Sequence, residues 1–322
     1  MAEKVVVVMD IDHEEESVYS SESKVQLFSK EKPQKPLDLP SSHDDEERKE
    51  HSSRTITFLK HLINDLISFK VWKASLAELI GTAVLVFALD TIVIISSYDE
   101  TKSNYTPPNL IIISILISLT LSTLLLATTP VSGGHLNPAI TLCAVFFRII
   151  TLSRALIYIF TQCAGAVLGA LALKLVVNST TEQTYSLGGC TLTVITPGPI
   201  GPVVVGIGLA QALWLEIICS FVFLLASVWA TLGFDHRQAQ AHKKALVMLL
   251  VGLVVGLLVF ASAKVIGATR GYAGAGMNPA RCLGAALVRG GHLWYRHWVF
   301  WVGPTISSLA FYVYTEVFPR GS

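Results

Sequence analysis

Six separate stretches of this chain are apolar over the length a bilayer requires: roughly 74–96, 109–129, 154–177, 206–232, 245–266 and 297–318. A spanning helix needs about 20 apolar residues. Lipid admits only helices and closed barrels, because every backbone polar group must find its partner inside the protein. With 52% hydrophobic residues and a mean hydropathy of +0.57, the chain is more apolar than an ordinary soluble domain. The fold class read from this pattern is an all-α polytopic membrane protein. An even number of spans puts both termini on one side. Lys60, Lys70 and Lys73 before the first span share that side with Arg148 and Arg154, and with Arg237, Lys243 and Lys244. The positive-inside rule makes it cytoplasmic, and Arg270, Arg281, Arg289 and Arg296 on the far face belong to a different kind of loop.

Charge separates the remaining segments. Residues 1–54 hold 14 of the 23 acidic residues against 8 basic ones, and with their Ser and Pro content they are expected to form a disordered, solvated tail. Residues 55–73 place Phe58, Leu59, Leu62, Ile63, Leu66 and Ile67 at helical spacing among Lys60, His61, Asn64 and Asp65. That pattern predicts an amphipathic interfacial helix. Val5 to Val8 is followed by acids rather than by a cleavage site, so the first span is expected to be its own insertion signal.

Within the membrane region, 74–318, one phrase occurs twice. Asn137-Pro138-Ala139 and Asn278-Pro279-Ala280 each follow a glycine-rich turn and precede an apolar run too short to cross, Ile140 to Phe147 and Cys282 to Val288. Asn is a favoured N-cap and Pro a favoured first helical residue. Each copy therefore predicts a half-helix that begins inside the membrane with the positive end of its dipole toward the midplane. The cap uses one side-chain oxygen and leaves the Asn NH₂ as a donor to a passing molecule. Glu78 lies 59 residues before Asn137, and Glu216 lies 62 before Asn278. The halves, about 74–177 and 206–318, are thus inverted repeats of span, span, half-helix, span, joined by the loop 178–205. Matching interruptions in two halves point to a substrate path.

From about Trp72 to Phe318 the chain resembles the aquaporin, or major intrinsic protein, family. The resemblance is carried by Ala77-Glu78-Leu79-Ile80-Gly81-Thr82, Ser132-Gly133-Gly134-His135-Leu136-Asn137-Pro138-Ala139, Gly276-Met277-Asn278-Pro279-Ala280-Arg281 and His297-Trp298-Val299-Phe300-Trp301-Val302-Gly303-Pro304. Leu187-Gly188-Gly189-Cys190 and Cys282 are most similar to the plant X intrinsic proteins. The family implies six transmembrane helices, two re-entrant half-helices, a homotetramer with one pore per subunit, and the plasma membrane.

The resemblance also implies roles. Arg281 matches the arginine of the outer selectivity filter, and Ile117, Ala275 and Ile266, with Ala263 as an alternative to Ile266, match its other positions. Water-selective members carry an aromatic ring where Ile117 stands and a histidine where Ile266 stands. Glu78 and Glu216 are implied to accept hydrogen bonds from the re-entrant loops, and His135 is read as support for the first of them. Cys282 is open to two readings, a packed small side chain or a redox or mercurial gate, while Cys190 in the outer loop is open to pairing within or between subunits, a disulfide to Cys282 included. Cys143, Cys163 and Cys219 lie in apolar runs and read as small buried hydrophobes.

No phosphate cradle, metal cluster or nucleophile–base constellation is present in the sequence, so an enzyme, a cofactor and a nucleic-acid partner are not expected. The expectation is a passive channel for small uncharged solutes such as glycerol, urea, boric acid or hydrogen peroxide, with water a minor permeant and lipid the other partner. A water-selective aquaporin is the alternative. Two rivals of another class are a proton-coupled transporter using Glu78 and Glu216, and a non-conducting membrane scaffold.

Overall fold

The computed structural model describes residues 43–97, 107–198, 201–229, 241–264, 272 and 274–318. The chain forms two units, residues 1–50 and 51–322, and the first is described only from His43 onward. Helix α1 (His43–Ile67) begins well before the expected amphipathic segment, and it stops at Ser68. The helix therefore takes in residues 43–54 of the segment expected to be a tail. The predicted boundary at 73 also shifts, since Phe69–Lys73 already belong to α2 (Phe69–Ser97). The expected tail residues 1–42 lie outside the described residues.

The first half continues with α3 (Pro107–Ser132), the nine-residue α4 (Pro138–Phe146) and α5 (Leu152–Val176). The second half repeats the order. Helix α7 (Leu209–Leu224) ends in a π-helical turn over Leu225–Trp229 and is followed by α8 (Ala241–Lys264), the eleven-residue α9 (Pro279–Arg289) and α10 (Val299–Val317). At 1.5 Å per residue, α4 and α9 reach about half of the roughly 30 Å hydrocarbon thickness. The region joining the halves is not plain loop. It holds α6 (Ser179–Tyr185), a 3₁₀ turn at Ser186–Gly188 and an antiparallel hairpin of β1 (Thr193–Gly198) and β2 (Gly201–Gly206), with Val194 opposite Val205.

Five helices among the described residues are long and apolar enough to cross a membrane, at Phe69–Ile95, Leu110–Ser132, Leu152–Val176, Leu209–Val228 and His242–Ala263. Helix α10 takes the sixth expected position with 19 residues, but Ser307, Ser308, Tyr312, Tyr314 and Glu316 dilute its hydropathy. The helices are arranged inside out relative to a soluble protein. Leu119 on α3, Leu175 on α5 and Leu257 on α8 are exposed, while Glu78, Asp90, Gln162 and Glu216 are buried. Polar groups facing inward and aliphatics facing outward are what lipid as solvent selects.

Small residues let the helices approach. Gly165 and Gly169 of α5 lie one turn apart against the backbone of Leu79 and Ala83 of α2, and a Cβ at either would collide with a carbonyl. Gly303 of α10 sits against Glu216 of α7 in the same way, with an ideal Cβ only 2.5 Å from Glu216 Cβ. Each half-helix packs on both halves: α4 against α5 and α10, and α9 against α5 and α10. Ser308 Oγ donates to Ala139 O at 3.1 Å across one of these contacts.

Candidate functional site

The two half-helices start alike. Asn137 is extended (φ −157°, ψ 124°), and its Oδ1 accepts the Ala139 amide at 2.9 Å. Asn278 (φ −138°, ψ 103°) accepts the Ala280 and Arg281 amides at 3.1 and 3.3 Å. Pro138 and Pro279 follow as first helical residues, where a missing N–H costs nothing.

The side-chain amides then cross between halves. Asn137 Nδ2 donates to Met277 O, and Asn278 Nδ2 donates to Leu136 O, both at 2.8 Å. One of the two N–H bonds on each amide is therefore committed to the other half, which corrects the reading that left the whole NH₂ free. Leu136 and Met277 hold positive φ of 49° and 52°. Non-glycine residues adopt that region reluctantly and keep it only where neighbours fix it. Here the amide of each is bound by a glutamate and its carbonyl by the opposite Asn. Leu136 N donates to Glu78 Oε2 at 2.6 Å, and Met277 N to Glu216 Oε2 at 2.9 Å.

Both glutamates are essentially fully buried. Glu78 also accepts from Ser132 Oγ (2.6 Å), His135 N (2.9 Å) and Gln162 Nε2 (2.8 Å). Glu216 accepts from Gly276 N at 2.5 Å. His135 Nδ1 lies 3.1 Å from Thr141 Oγ1, and its ring meets Tyr158 edge-on at 5.4 Å.

A cavity of about 740 Å³ runs past these junctions. Ile117, His135, Asn137, Asn278 and Arg281 stand in its wall, with aliphatic side chains such as Val251 and Val255 between them. Neither Glu78 nor Glu216 lines it. Ala275 is buried beside the cavity, in the same apolar cluster as Ile117 and Met277, and its amide donates to Ser262 Oγ at 3.1 Å. Ile266 lies outside the described residues; Ala263, the alternative position, is half-buried at the end of α8.

Arg281 is held on three sides. Its Nη2 donates to Gly188 O at 3.1 Å, and its Nη1 approaches Cys190 Sγ at 3.3 Å. Nη2 also forms an ion pair with Asp90 Oδ1 at 3.1 Å. Cys190 and Cys282 are joined in a disulfide with Cα atoms 5.0 Å apart, one of the pairings left open from sequence. Cys143, Cys163 and Cys219 are free thiols.

Asp90, Gln162 and Ser132 were missed by sequence reasoning. For Asp90 the signal was present: an acid inside an apolar span is costly enough to mark a site, the same rule that singles out Glu78 and Glu216. The hydroxyl and amide of Ser132 and Gln162 carry no such signal, because single polar residues are common in packed membrane helices.

A profile of the major intrinsic protein family matches residues 65–314. The chain is similar to the probable aquaporin PIP2-7 of Oryza sativa subsp. japonica, 31% identical over 80% of this chain and 83% of that protein. It is likewise 31% identical to aquaporin PIP1-1 of Arabidopsis thaliana, over 80% of this chain and 82% of the relative. Among solved structures, the aquaglyceroporin from Plasmodium falciparum matches with a TM-score of 0.53, covering 76% of this chain and 96% of that one. At 20% identity that likeness speaks for the fold alone. Profile, relatives and fold agree: the chain is an integral membrane protein belonging to the major intrinsic protein family, whose members are channels and not enzymes.

Proposed function

We propose that this channel passes small uncharged solutes bearing a few hydroxyl or amide groups, such as glycerol, urea, boric acid or hydrogen peroxide, with water a secondary permeant. The observation that carries the reading is the cavity wall: Ile117, both Asn side chains and Arg281 share one void whose remaining lining is chiefly aliphatic. An isoleucine cannot hydrogen-bond, so bare water is poorly compensated for desolvation there, whereas a solute with CH surface is not. The second N–H of each Asn amide serves as donor at the centre, and the two half-helix N-termini add positive potential that repels protons and cations. Arg281 serves as the donor of the filter, with Ile117, Ala275 and Ile266 completing it, and His135 steadies the first loop beside Glu78.

The transporter reading loses support from the same geometry, since Glu78 and Glu216 spend their oxygens on loop amides and, for Glu78, on Ser132 and Gln162, and lie outside the cavity wall. A water-selective channel is the second reading, favoured by the relatives that bear the name aquaporin. We further assign the chain to the X intrinsic proteins on the likeness of Leu187-Gly188-Gly189-Cys190 and Cys282, although the relatives named above are PIP aquaporins. It acts in the plasma membrane as a homotetramer with cytoplasmic termini, where lipid and neighbouring subunits cover the exposed aliphatic faces.

Purified protein in liposomes tests the substrate. Glycerol-driven re-swelling measured by light scattering is expected to be fast and water shrinkage slow. Ile117→Phe is expected to cut glycerol flux on the order of tenfold, the effect of about 1.4 kcal/mol on the barrier, while sparing water. Fast water flow without glycerol entry would overturn the solute assignment in favour of the second reading.

A further inference from the structure

Asp90 follows Glu78 by twelve residues on α2 and is as deeply buried as either glutamate. Its surroundings differ. Among the described residues its carboxylate meets no donor and no cation other than Arg281, whose Nη2 lies 3.1 Å from Oδ1. The Arg281 side chain is itself only 9% exposed. The turn carrying Gly188 is pressed onto α2 at this point: Gly188 has φ +69°, and a Cβ there would collide with the backbone of Asp90. That contact delivers the Gly188 carbonyl to the guanidinium, and the disulfide fixes Cys190 beside it. The guanidinium is thus drawn toward α2 while still reaching the cavity wall.

We infer that Asp90 is the counter-ion of the constriction, a positioning residue that makes its net charge zero and holds Arg281 against the wall. The inference rests on Arg281 standing in the solute path. Two consequences follow from burying a charge pair in low dielectric. Each partner restrains the other strongly, and removing either one leaves an uncompensated charge. With Asp90 neutralised, the guanidinium is released toward the lumen, where it narrows the opening to a solute larger than water. With Arg281 removed, a bare carboxylate stands at the constriction and attracts cations, protons included. Exclusion of ions by the wild-type channel then falls to the half-helix dipoles rather than to a net positive filter.

The test uses the full-length protein in liposomes as wild type, Arg281→Ala, Asp90→Asn and the double variant. Glycerol and water permeabilities come from light scattering, and proton flux from an entrapped pH dye under a potassium diffusion potential. Arg281→Ala is expected to raise proton flux roughly tenfold, and the added Asp90→Asn is expected to remove most of that rise. Asp90→Asn alone is expected to lower the glycerol-to-water ratio several-fold with proton flux unchanged. A double variant that leaks as much as Arg281→Ala overturns the inference, as does an unchanged ratio in folded Asp90→Asn. A merely structural Asp90 would slow both solutes together and leave the leak alone. If Asp90→Asn does not assemble, the comparison of Arg281→Ala with the electroneutral double variant decides. If Arg281→Ala alters neither selectivity nor leak, the filter reading of Arg281 itself fails, a result distinct from failure of the Asp90 pairing.

Discussion

At the α4 junction, Glu78 gathers Ser132, His135, Leu136 and Gln162, donors from three separate parts of the first half. At the α9 junction, Glu216 gathers, among the described residues, the amides of Gly276 and Met277, two consecutive residues of one loop. The reciprocal ties from Asn137 to Met277 and from Asn278 to Leu136 have the same length. What differs is how each loop is fastened to its surroundings. The first is sewn in by side chains. The second relies on the Cys190–Cys282 disulfide and on the Arg281–Asp90 pair, neither of which has a counterpart at α4 among the described residues. Duplication therefore repeats the cap and the cross-tie, and each copy has been anchored by different chemistry.

The sharpest way to break this comparison is to remove each glutamate in turn. Glu78→Ala removes four hydrogen bonds and strands the amides of His135 and Leu136, while Ser132 Oγ and Gln162 Nε2 keep Thr128 O and Thr141 Oγ1; Glu216→Ala strands the amides of Gly276 and Met277. Each buried unsatisfied group costs about 1–3 kcal/mol. Glu78→Ala is expected to cost about 5 kcal/mol or to prevent assembly, and Glu216→Ala about 3 kcal/mol, the difference being the two extra side-chain bonds. Loss of monodisperse protein on heating in detergent measures the difference. Equal losses would show that the two loops are fastened equally well.

Reducing the disulfide should act on the second junction alone. The bridge closes a chain separation of 92 residues, for which the chain-entropy account gives about 4.6 kcal/mol. Reductant is expected to lower the unfolding temperature and raise hydrogen exchange in 186–190 and 274–282. Exchange in 132–137 should stay unchanged. Exchange that rises equally at both junctions would mean that the disulfide braces the whole molecule rather than one loop.

How much of this was readable beforehand divides along the same line. The inverted repeat, the two half-helices and Asn137, Asn278, Glu78 and Glu216 follow from apolar run lengths and from capping chemistry, both local in sequence. The Cys190–Cys282 bond could be named only as one of the pairings left open, because pairing depends on a distance that spacing does not contain. Asp90 was legible by the rule applied to Glu78, yet its partner lies far along the chain, and nothing in the repeat pattern points from one to the other. The hairpin at 193–206 was missed because Pro197, Pro202 and several glycines read as loop, although Val194-Ile195 and Val203-Val204-Val205 are good strand formers.

The smallest expected effect concerns the segment that leads to the disulfide. His292 Nε2 lies 2.8 Å from Ser186 Oγ, and its Nδ1 faces Arg289 Nη1 at 3.3 Å. Partial burial, and then the Arg289 charge, hold its pKa below the ordinary histidine value. A histidine whose folded pKa is depressed takes up its proton first in the unfolded chain. Its contribution to stability is therefore complete above the ordinary value and declines as pH falls through it toward the lowered one. Unfolding temperatures of wild type and His292→Gln should accordingly converge or cross between neutral pH and about pH 5, within the window set by the ordinary histidine value near 6.5. The decline should also be visible as lower protection factors, with exchange corrected for its intrinsic pH dependence, at 186–190 and not at 132–137. A wild type whose stability rises on acidification through that range would mean that protonated His292 gains a partner, and that the turn next to Gly188 is fastened by charge as well as by sulfur.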